Sequence, residues 1–249
     1  MTGTTALVTG AGGHIGRALL SRLVAAGDRV IGVERPGTPP PDGVDHWIEV
    51  DLADPASEAA LADALAGLGR IDTVVAAAGV TALGSFDETD DATFRRVMDV
   101  NFHGAVRTAR ATLPALRASG GHLLAISSVA GLVPVPGRPA YVGAKHALSG
   151  TFLALADELG RDGVGVTVVH PTFLDTPVTE VGAGAARTTT GAALTADDVA
   201  RDLVRLVARR RTGRRVPQRV VIGATGKVAD LAARISPALA RTLAARRVR

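Results

Sequence analysis

TTALVTGAGGHIGRALLSRLVAAG, residues 4–27, reads as a strand, a glycine-rich turn and a helix in immediate succession. Residues 4–8 form a short apolar run. From Ile15 the apolar residues recur at helical spacing until Gly27 stops them. Glycines in the turn at 9–16 leave backbone N–H groups free at the positive end of the helix dipole, where a pyrophosphate can approach. A merely tight turn would use glycines too; the order strand, turn, helix is what makes this a dinucleotide signal. Gly10, Gly12, Gly13, His14, Ile15 and Gly16 are its candidate contacts.

Outward from that unit, strands and helices alternate. A second strand, 29–33, ends at Glu34, whose carboxylate can accept from both adenosine ribose hydroxyls and repel a 2′-phosphate, which favours NAD. Arg35 follows and could meet such a phosphate, so NADP stays open; a solvated loop residue is the plainer reading. A third strand, 46–50, ends at Asp51-Leu52, with Asp51 either a contact for the adenine amino group or an N-cap for a helix starting near Pro55. The fourth, 72–76, runs into Ala77, Ala78 and Gly79, small enough for a cofactor to lie against the backbone. One long helix is expected over 91–118 with Asn101 in its interior, where asparagine wants a specific partner. Strands at 122–126 and 165–169 follow, then residues 170–177 turning away from the sheet, and a last strand within 216–222. The expected fold is α/β: a Rossmann-type, doubly wound parallel sheet of about seven strands with helices on both faces. Residues 1–223 read as one domain, with a substrate lid at about 178–195, and residues 224–249 as a basic amphipathic tail.

The chemistry concentrates in LLAISSVAGLVPVPGRPAYVGAK, residues 123–145. An apolar strand ends in Ser127 and Ser128, a Gly/Pro-rich loop follows, and Tyr141 opens a helix with Lys145 one turn on. Positions i and i+4 share a helix face, so the Lys145 ammonium can favour the Tyr141 phenolate and lower a pKa that is ordinarily about 10. Such a tyrosine can trade a proton with an alcohol or carbonyl oxygen near neutral pH. Ser128 could hydrogen-bond the same oxygen. Tyr-x-x-x-Lys alone is a weak pattern, equally satisfied by an exposed Tyr beside a solvated Lys. Here Tyr141 is the only tyrosine and Lys145 one of two lysines, and arginine could not supply a titratable point charge in their place.

Composition narrows the classes. Aromatics make up 3% of a chain that is 47% hydrophobic, so Ala, Val and Leu must fill the core, and the absence of cysteine excludes disulfides and thiolate metal sites. No basic leader and no run of the ~18 apolar residues that a spanning helix needs is visible, so a cytoplasmic protein is expected. His14, His46, His103, His122, His146 and His170 lack ligand spacing, and no metal site is expected. They read as packing or surface residues, with His146 and His170 the two placed to tune the site. Residues 1–200 carry 14 basic and 22 acidic side chains, residues 201–249 carry 14 and 2. The C-terminal stretch is thus a separate electrostatic object.

The glycine-rich turn, Asp51-Leu52, Val100-Asn101, Ser128 thirteen residues before Tyr141, and Tyr141-x-x-x-Lys145 together resemble the short-chain dehydrogenase/reductase family over about residues 4–178. The resemblance implies an NAD(P)-dependent oxidoreductase that moves hydride between nicotinamide and an alcohol or ketone. Tyr141 would then be the general acid or base, Ser128 would orient the substrate oxygen, and Lys145 would tune the tyrosine and hold the nicotinamide ribose. Asn101 would support a proton-relaying water. Pro171 and Thr176 fall at cofactor-contacting positions. Departures from the family pattern are His14 at the usual middle glycine, Ala76-Ala77-Ala78-Gly79 for Asn-Asn-Ala-Gly, and Thr172 for the glycine of Pro-Gly. Gly13, which lacks the side chain that often binds a 2′-phosphate, again favours NAD.

In the tail, Leu231, Ile235, Leu239 and Leu243 recur every four residues among arginines, with Pro237 interrupting. Such a tail resembles relatives acting on lipophilic alcohols and ketones. It could lie on anionic lipid at the inner membrane surface, or pack on the body or a partner subunit. A homodimer or homotetramer is implied by the resemblance, and a bacterial origin by the coding bias. A reductase of carrier-bound 3-oxoacyl groups and a non-catalytic dinucleotide-binding protein at a membrane surface are the alternatives. Nucleic acid is not an expected partner, since the tail lacks stacking aromatics.

Overall fold

The computed structural model describes residues 3–175 and 193–236. In chain order the elements are β1 (Thr5–Thr9), α1 (His14–Ala25), β2 (Arg29–Glu34), β3 (His46–Glu49), α2 (Ser57–Leu65), β4 (Thr73–Ala76), α3 (Asp91–Met98), a π-helical turn (Asp99–His103), α4 (Gly104–Ser119), β5 (His122–Ile126), a 3₁₀ turn (Val129–Gly131), α5 (Pro139–Gly160), β6 (Gly165–Pro171), α6 (Ala196–Arg211), β7 (Arg219–Ile222) and α7 (Ala224–Ile235). Among the described residues the strands form one seven-stranded sheet in the order β3-β2-β1-β4-β5-β6-β7, parallel throughout.

Every residue of β1, β4 and β5 is buried, as parallel strands covered on both faces must be. Alternation along the strands splits the core in two. Ala6 and Val8 of β1 pack with Leu19, Leu20 and Leu23 of α1 and Val199, Leu203 and Val207 of α6. Leu7 faces the other way, with Leu61 of α2, Leu116 of α4 and Phe152 of α5. The order reverses between β1 and β4, and the crevice outside the carboxyl ends of these strands is where ligands bind in such sheets.

The expected elements are present, with differences in their limits. The single helix expected over 91–118 is α3 and α4 joined by the π-helical turn, and Asn101 sits in that widened turn rather than in a regular helix. Residues 170–171 do not turn away from the sheet: β6 runs on through His170 and Pro171, paired with Val221 and Ile222, and the Thr172 N–H still reaches the Ile222 carbonyl at 3.0 Å. The helix bearing Tyr141 begins earlier, at Pro139, whose fixed φ and missing N–H suit a first turn. Asp51 does not cap α2; its Oδ1 accepts from Ala53 N–H at 3.0 Å in a local turn, and α2 starts only at Ser57.

α7 packs on the body through Ala229, Ala232 and Ala233, against Val129, Val133 and Phe173. Asp230 pairs with Arg219 of β7 and, at 3.2 Å, with Arg234. Leu231 and Ile235, two of the residues that recur every four in the sequence, point outward with Val228: the three are 59%, 73% and 60% exposed, so this face does not pack on the body. The small side chains win the inner face because they allow the helix to approach the sheet closely. Thr176, most of the expected lid and the tail beyond Ser236 lie outside the described residues.

Candidate active site

β5 and α5 set the candidate catalytic groups. Lys145 is 4% exposed, and its Nζ donates to the carbonyl of Ile126, the last residue of β5, at 2.9 Å. The lysine stem thereby spans from helix to strand end, with Nζ 5.6 Å from the Tyr141 ring centroid. Ser127 and Ser149 lock the two elements together: Ser149 donates to the Lys145 carbonyl at 2.7 Å, which leaves Ser127 to donate to Ser149 Oγ at 2.8 Å. Gly131 leaves room for this knot, since a Cβ there would lie 2.5 Å from Ser127 Oγ. Ser127 was visible at the strand end in the sequence; nothing in the pattern singled out Ser149.

Ser128 Oγ accepts from Ala130 N–H at 3.1 Å, and the same side chain acts on Tyr141, favouring its phenolate. On the far side, His170 Nδ1 bonds the Ser128 carbonyl at 3.0 Å. Asn101 enters from the π-helical turn, its Nδ2 donating to the carbonyls of Val80 and Val97 at 2.8 and 2.9 Å. Its Oδ1 is buried without a partner. A Cβ built on Gly79 would stand 2.9 Å from that oxygen and 3.7 Å from Lys145 Nζ. Asn101, Gly79, Lys145, Tyr141 and Ser128 are therefore one constellation, assembled from four elements.

The electrostatics differ from the expectation that Lys145 lowers the Tyr141 pKa. Burial raises the Tyr141 phenol above its ordinary value, against the opposing hydrogen bond from Ser128 and the charge of Arg138. Burial also pushes the Lys145 ammonium down to about 7, because Ile126 offers it a carbonyl dipole rather than a carboxylate. His170, wholly buried, is held down at about 4.

At the other end of the crevice stands the glycine-rich turn. Gly10 has φ +66°, and a Cβ on it would lie 2.7 Å from the backbone of Ala78; one on Gly16 would meet the Gly10 carbonyl and, at 2.8 Å, Ala11 Cα. These glycines are needed for close approach of backbone to backbone. Gly13 N-caps α1 and His14 and Ile15 open it, His14 exposed and Ile15 packed against the core. Glu34 folds back over the turn, with Oε2 accepting from Gly12 N–H at 2.8 Å and Oε1 from Arg35 N–H at 3.0 Å. Thr9 Oγ1 accepts from Ala77 and Ala78 N–H, at 3.2 and 3.3 Å, and so holds the small-residue segment beside the turn. Asp51 Oδ2 lies 3.3 Å from Arg96 of α3, and Leu52 is buried beneath it. Arg17 donates to the Gly12 and Pro39 carbonyls at 2.8 and 3.2 Å, a residue at the turn that spacing alone did not reveal.

These residues fit a dinucleotide. The glycines let the turn fold close against the small-residue segment after β4, an acid stands at the end of β2, and an orphaned amide oxygen lies with Lys145 Nζ beside Gly79. Among the described residues no group of three or more His, Asp or Glu side chains is placed to hold a metal ion.

Residues 4–183 match the family profile described as short chain dehydrogenase. An uncharacterized NAD-dependent oxidoreductase of Mycobacterium tuberculosis is 43% identical over 135 residues, 53% of this chain and 49% of that protein, so the match spans about half the length of that relative. A second protein of that organism, an uncharacterized oxidoreductase, is 34% identical over 206 residues, covering 72% of this chain and 74% of the relative. Among solved structures, a short-chain dehydrogenase from Streptomyces avermitilis superposes with a TM-score of 0.81 at 27% identity, covering 96% of both chains. The chain belongs to the short chain dehydrogenase family.

Proposed function

We propose that this chain is an NAD-dependent oxidoreductase that transfers hydride between the nicotinamide and the carbon of a lipophilic secondary alcohol or ketone. The observation that carries this reading is the buried Lys145, fixed on the Ile126 carbonyl with its Nζ 5.6 Å from the Tyr141 ring centroid, in a site where Ser128 opposes the rise that burial imposes on the Tyr141 phenol. The bound nicotinamide supplies or accepts the hydride, chemistry that belongs to the cofactor. Ser128 donates to the substrate oxygen and sets its distance from Tyr141. In reduction the Tyr141 hydroxyl protonates the developing alkoxide, and in oxidation the phenolate takes that proton back. Lys145 holds the ribose near Gly79. Asn101 Oδ1 accepts from the water that returns protons to Lys145.

Preference for NAD over NADP is supported by Glu34, whose carboxylate stands at the turn where a 2′-phosphate would have to sit. Arg35, next in sequence to Glu34, and Arg17, which bonds the Gly12 carbonyl, are the route by which NADP would be accepted. Ser128, Phe173 and Arg138 border the substrate side, with the Arg138 guanidinium 6.0 Å from the Phe173 ring centroid. Turnover of a panel of cyclic and long-chain secondary alcohols with NAD tests the reading. Activity on several apolar alcohols supports it, and activity confined to small charged substrates contradicts it.

A second reading concerns location, and the outward face of α7 favours it. Val228, Leu231 and Ile235 are exposed on one side of a helix that also carries Lys227 and Arg234. An apolar stripe flanked by cations suits contact with an anionic lipid surface. Pelleting with anionic liposomes that is lost in Leu231→Asp/Ile235→Asp supports this contact, and equal pelleting removes it.

A further inference from the structure

A cavity of about 520 Å³ opens at the sheet edge opposite Tyr141, where β6 and β7 begin. Gly160, Gly163 and Gly165 make part of its floor, and Arg209, Arg210 and Arg215 stand on its wall. Its size lies within the range of roughly 300–1,000 Å³ typical of small-molecule sites.

Two of the three guanidinium groups are held by main-chain carbonyls rather than by acids. Arg209 Nε donates to the Arg215 main-chain carbonyl at 2.7 Å, and Arg210 Nη2 donates to the carbonyls of Gly163 and Gly120 at 2.5 and 3.0 Å. Among the described residues none of the three forms an ion pair. Asp162 pairs with Arg117 at 2.8 Å and Asp28 with Arg211 at 2.9 Å, while Asp157 accepts at 2.9 Å from the neutral Gln218 on the cavity lining. Three like charges lining one mouth repel one another, and an anion relieves that repulsion. Guanidinium forks match phosphate oxygens in bidentate geometry. The glycine floor, with Val164 and Val166 beside it, presents backbone and apolar surface rather than further charge.

We propose that this cavity binds a small phosphate ester, its phosphate between Arg209 and Arg215 and its uncharged remainder on the glycine floor. The site is separate from the dinucleotide crevice. Gly160 closes the 22-residue helix α5, whose first two turns carry Tyr141 and Lys145, so the two sites lie at opposite ends of one element.

The test is the melting temperature of the NADH-saturated protein against phenyl phosphate and inorganic phosphate, with sodium chloride matched for ionic strength. NADH keeps the glycine-rich turn filled. Phenyl phosphate should raise the melting temperature saturably, with inorganic phosphate several-fold weaker. Arg215→Gln should weaken phenyl phosphate at least about tenfold; it leaves the Arg209 contact in place, because that contact is to main chain. Arg209→Gln/Arg215→Gln should abolish the shift while the melting temperature without ligand stays close to wild type. No saturable shift beyond chloride, or the same shift in both variants, overturns the site. Equal affinity for the two probes overturns the ester and leaves a site for inorganic phosphate.

Discussion

Nδ1 of His170 donates to the main-chain carbonyl of Ser128 across 3.0 Å, so a buried side chain of β6 fixes the backbone beneath the hydroxyl that faces Tyr141. A carbonyl only accepts, so the ring is the Nδ1–H tautomer; its Nε2 is buried without a partner. His170 is a positioning residue in this account. His170→Leu should lower kcat about tenfold, the order of ~1.4 kcal/mol expected for one lost buried hydrogen bond, with NADH affinity unchanged. His170→Asn, whose amide can donate at the same place, should recover part of the loss. Equal loss in both variants would mean that the ring acts by volume alone.

Lys145 is costly to the folded protein. Its pKa falls from 10.5 unfolded to about 7 folded, so between these values the unfolded chain binds more protons and stability rises with pH by up to about 1.4 kcal/mol per unit. Below pH 7 the whole cost is present. Lys145→Met should therefore melt higher than wild type at pH 6–7, with an advantage that shrinks as pH climbs toward 10.5, while turnover is lost. Melting curves across that range check the sign; a variant less stable at pH 6 contradicts it.

Acid acts through two buried histidines. His122 and His170 are held down at about 3 and about 4 from an unfolded value of 6.5, chiefly by burial. Below pH 6.5 the unfolded state takes up protons that the folded state refuses, so stability falls by up to about 1.4 kcal/mol per pH unit for each ring. The His170 contribution ends near pH 4 and the His122 contribution near pH 3. His122→Gln keeps a donor for Thr167, which bonds His122 Nε2 at 2.9 Å, and should flatten the slope between pH 6.5 and 4.5. An unchanged slope sinks the assignment.

Glu34 should decide the cofactor. With its carboxylate 2.8 Å from Gly12 N, NADH should bind at least about tenfold tighter than NADPH, a gap of ~1.4 kcal/mol. Glu34→Ala should close that gap, as read by nicotinamide fluorescence. A wild-type preference for NADPH would pass the selecting role to Arg17 or Arg35.

Much of this was legible in one dimension, and the exceptions share a cause. Short continuous apolar runs alternating with helical stretches, and the glycine turn at 9–16, were enough for the doubly wound sheet, because parallel strands are buried on both faces. Ser128, Tyr141 and Lys145 were legible because strand end and helix start are close in sequence. The π-helical turn at Asn101 was not, since its partner carbonyl on Val80 lies 21 residues away. Nor was the reach of β6 through His170, which depends on pairing with β7. The outward face of α7 also escaped, because leucine spacing marks an amphipathic helix without saying which face the protein covers. Finally, i, i+4 geometry brought Tyr141 and Lys145 together but could not weigh burial, which raises the one pKa and lowers the other.

The most direct measurement is turnover of an accepted secondary alcohol by Tyr141→Phe, alongside NADH binding to the same variant. NADH should bind within about twofold of wild type while kcat falls by roughly 10²–10⁴, the range of a lost general acid or base. Undiminished turnover in Tyr141→Phe would contradict this role and place the proton transfer elsewhere.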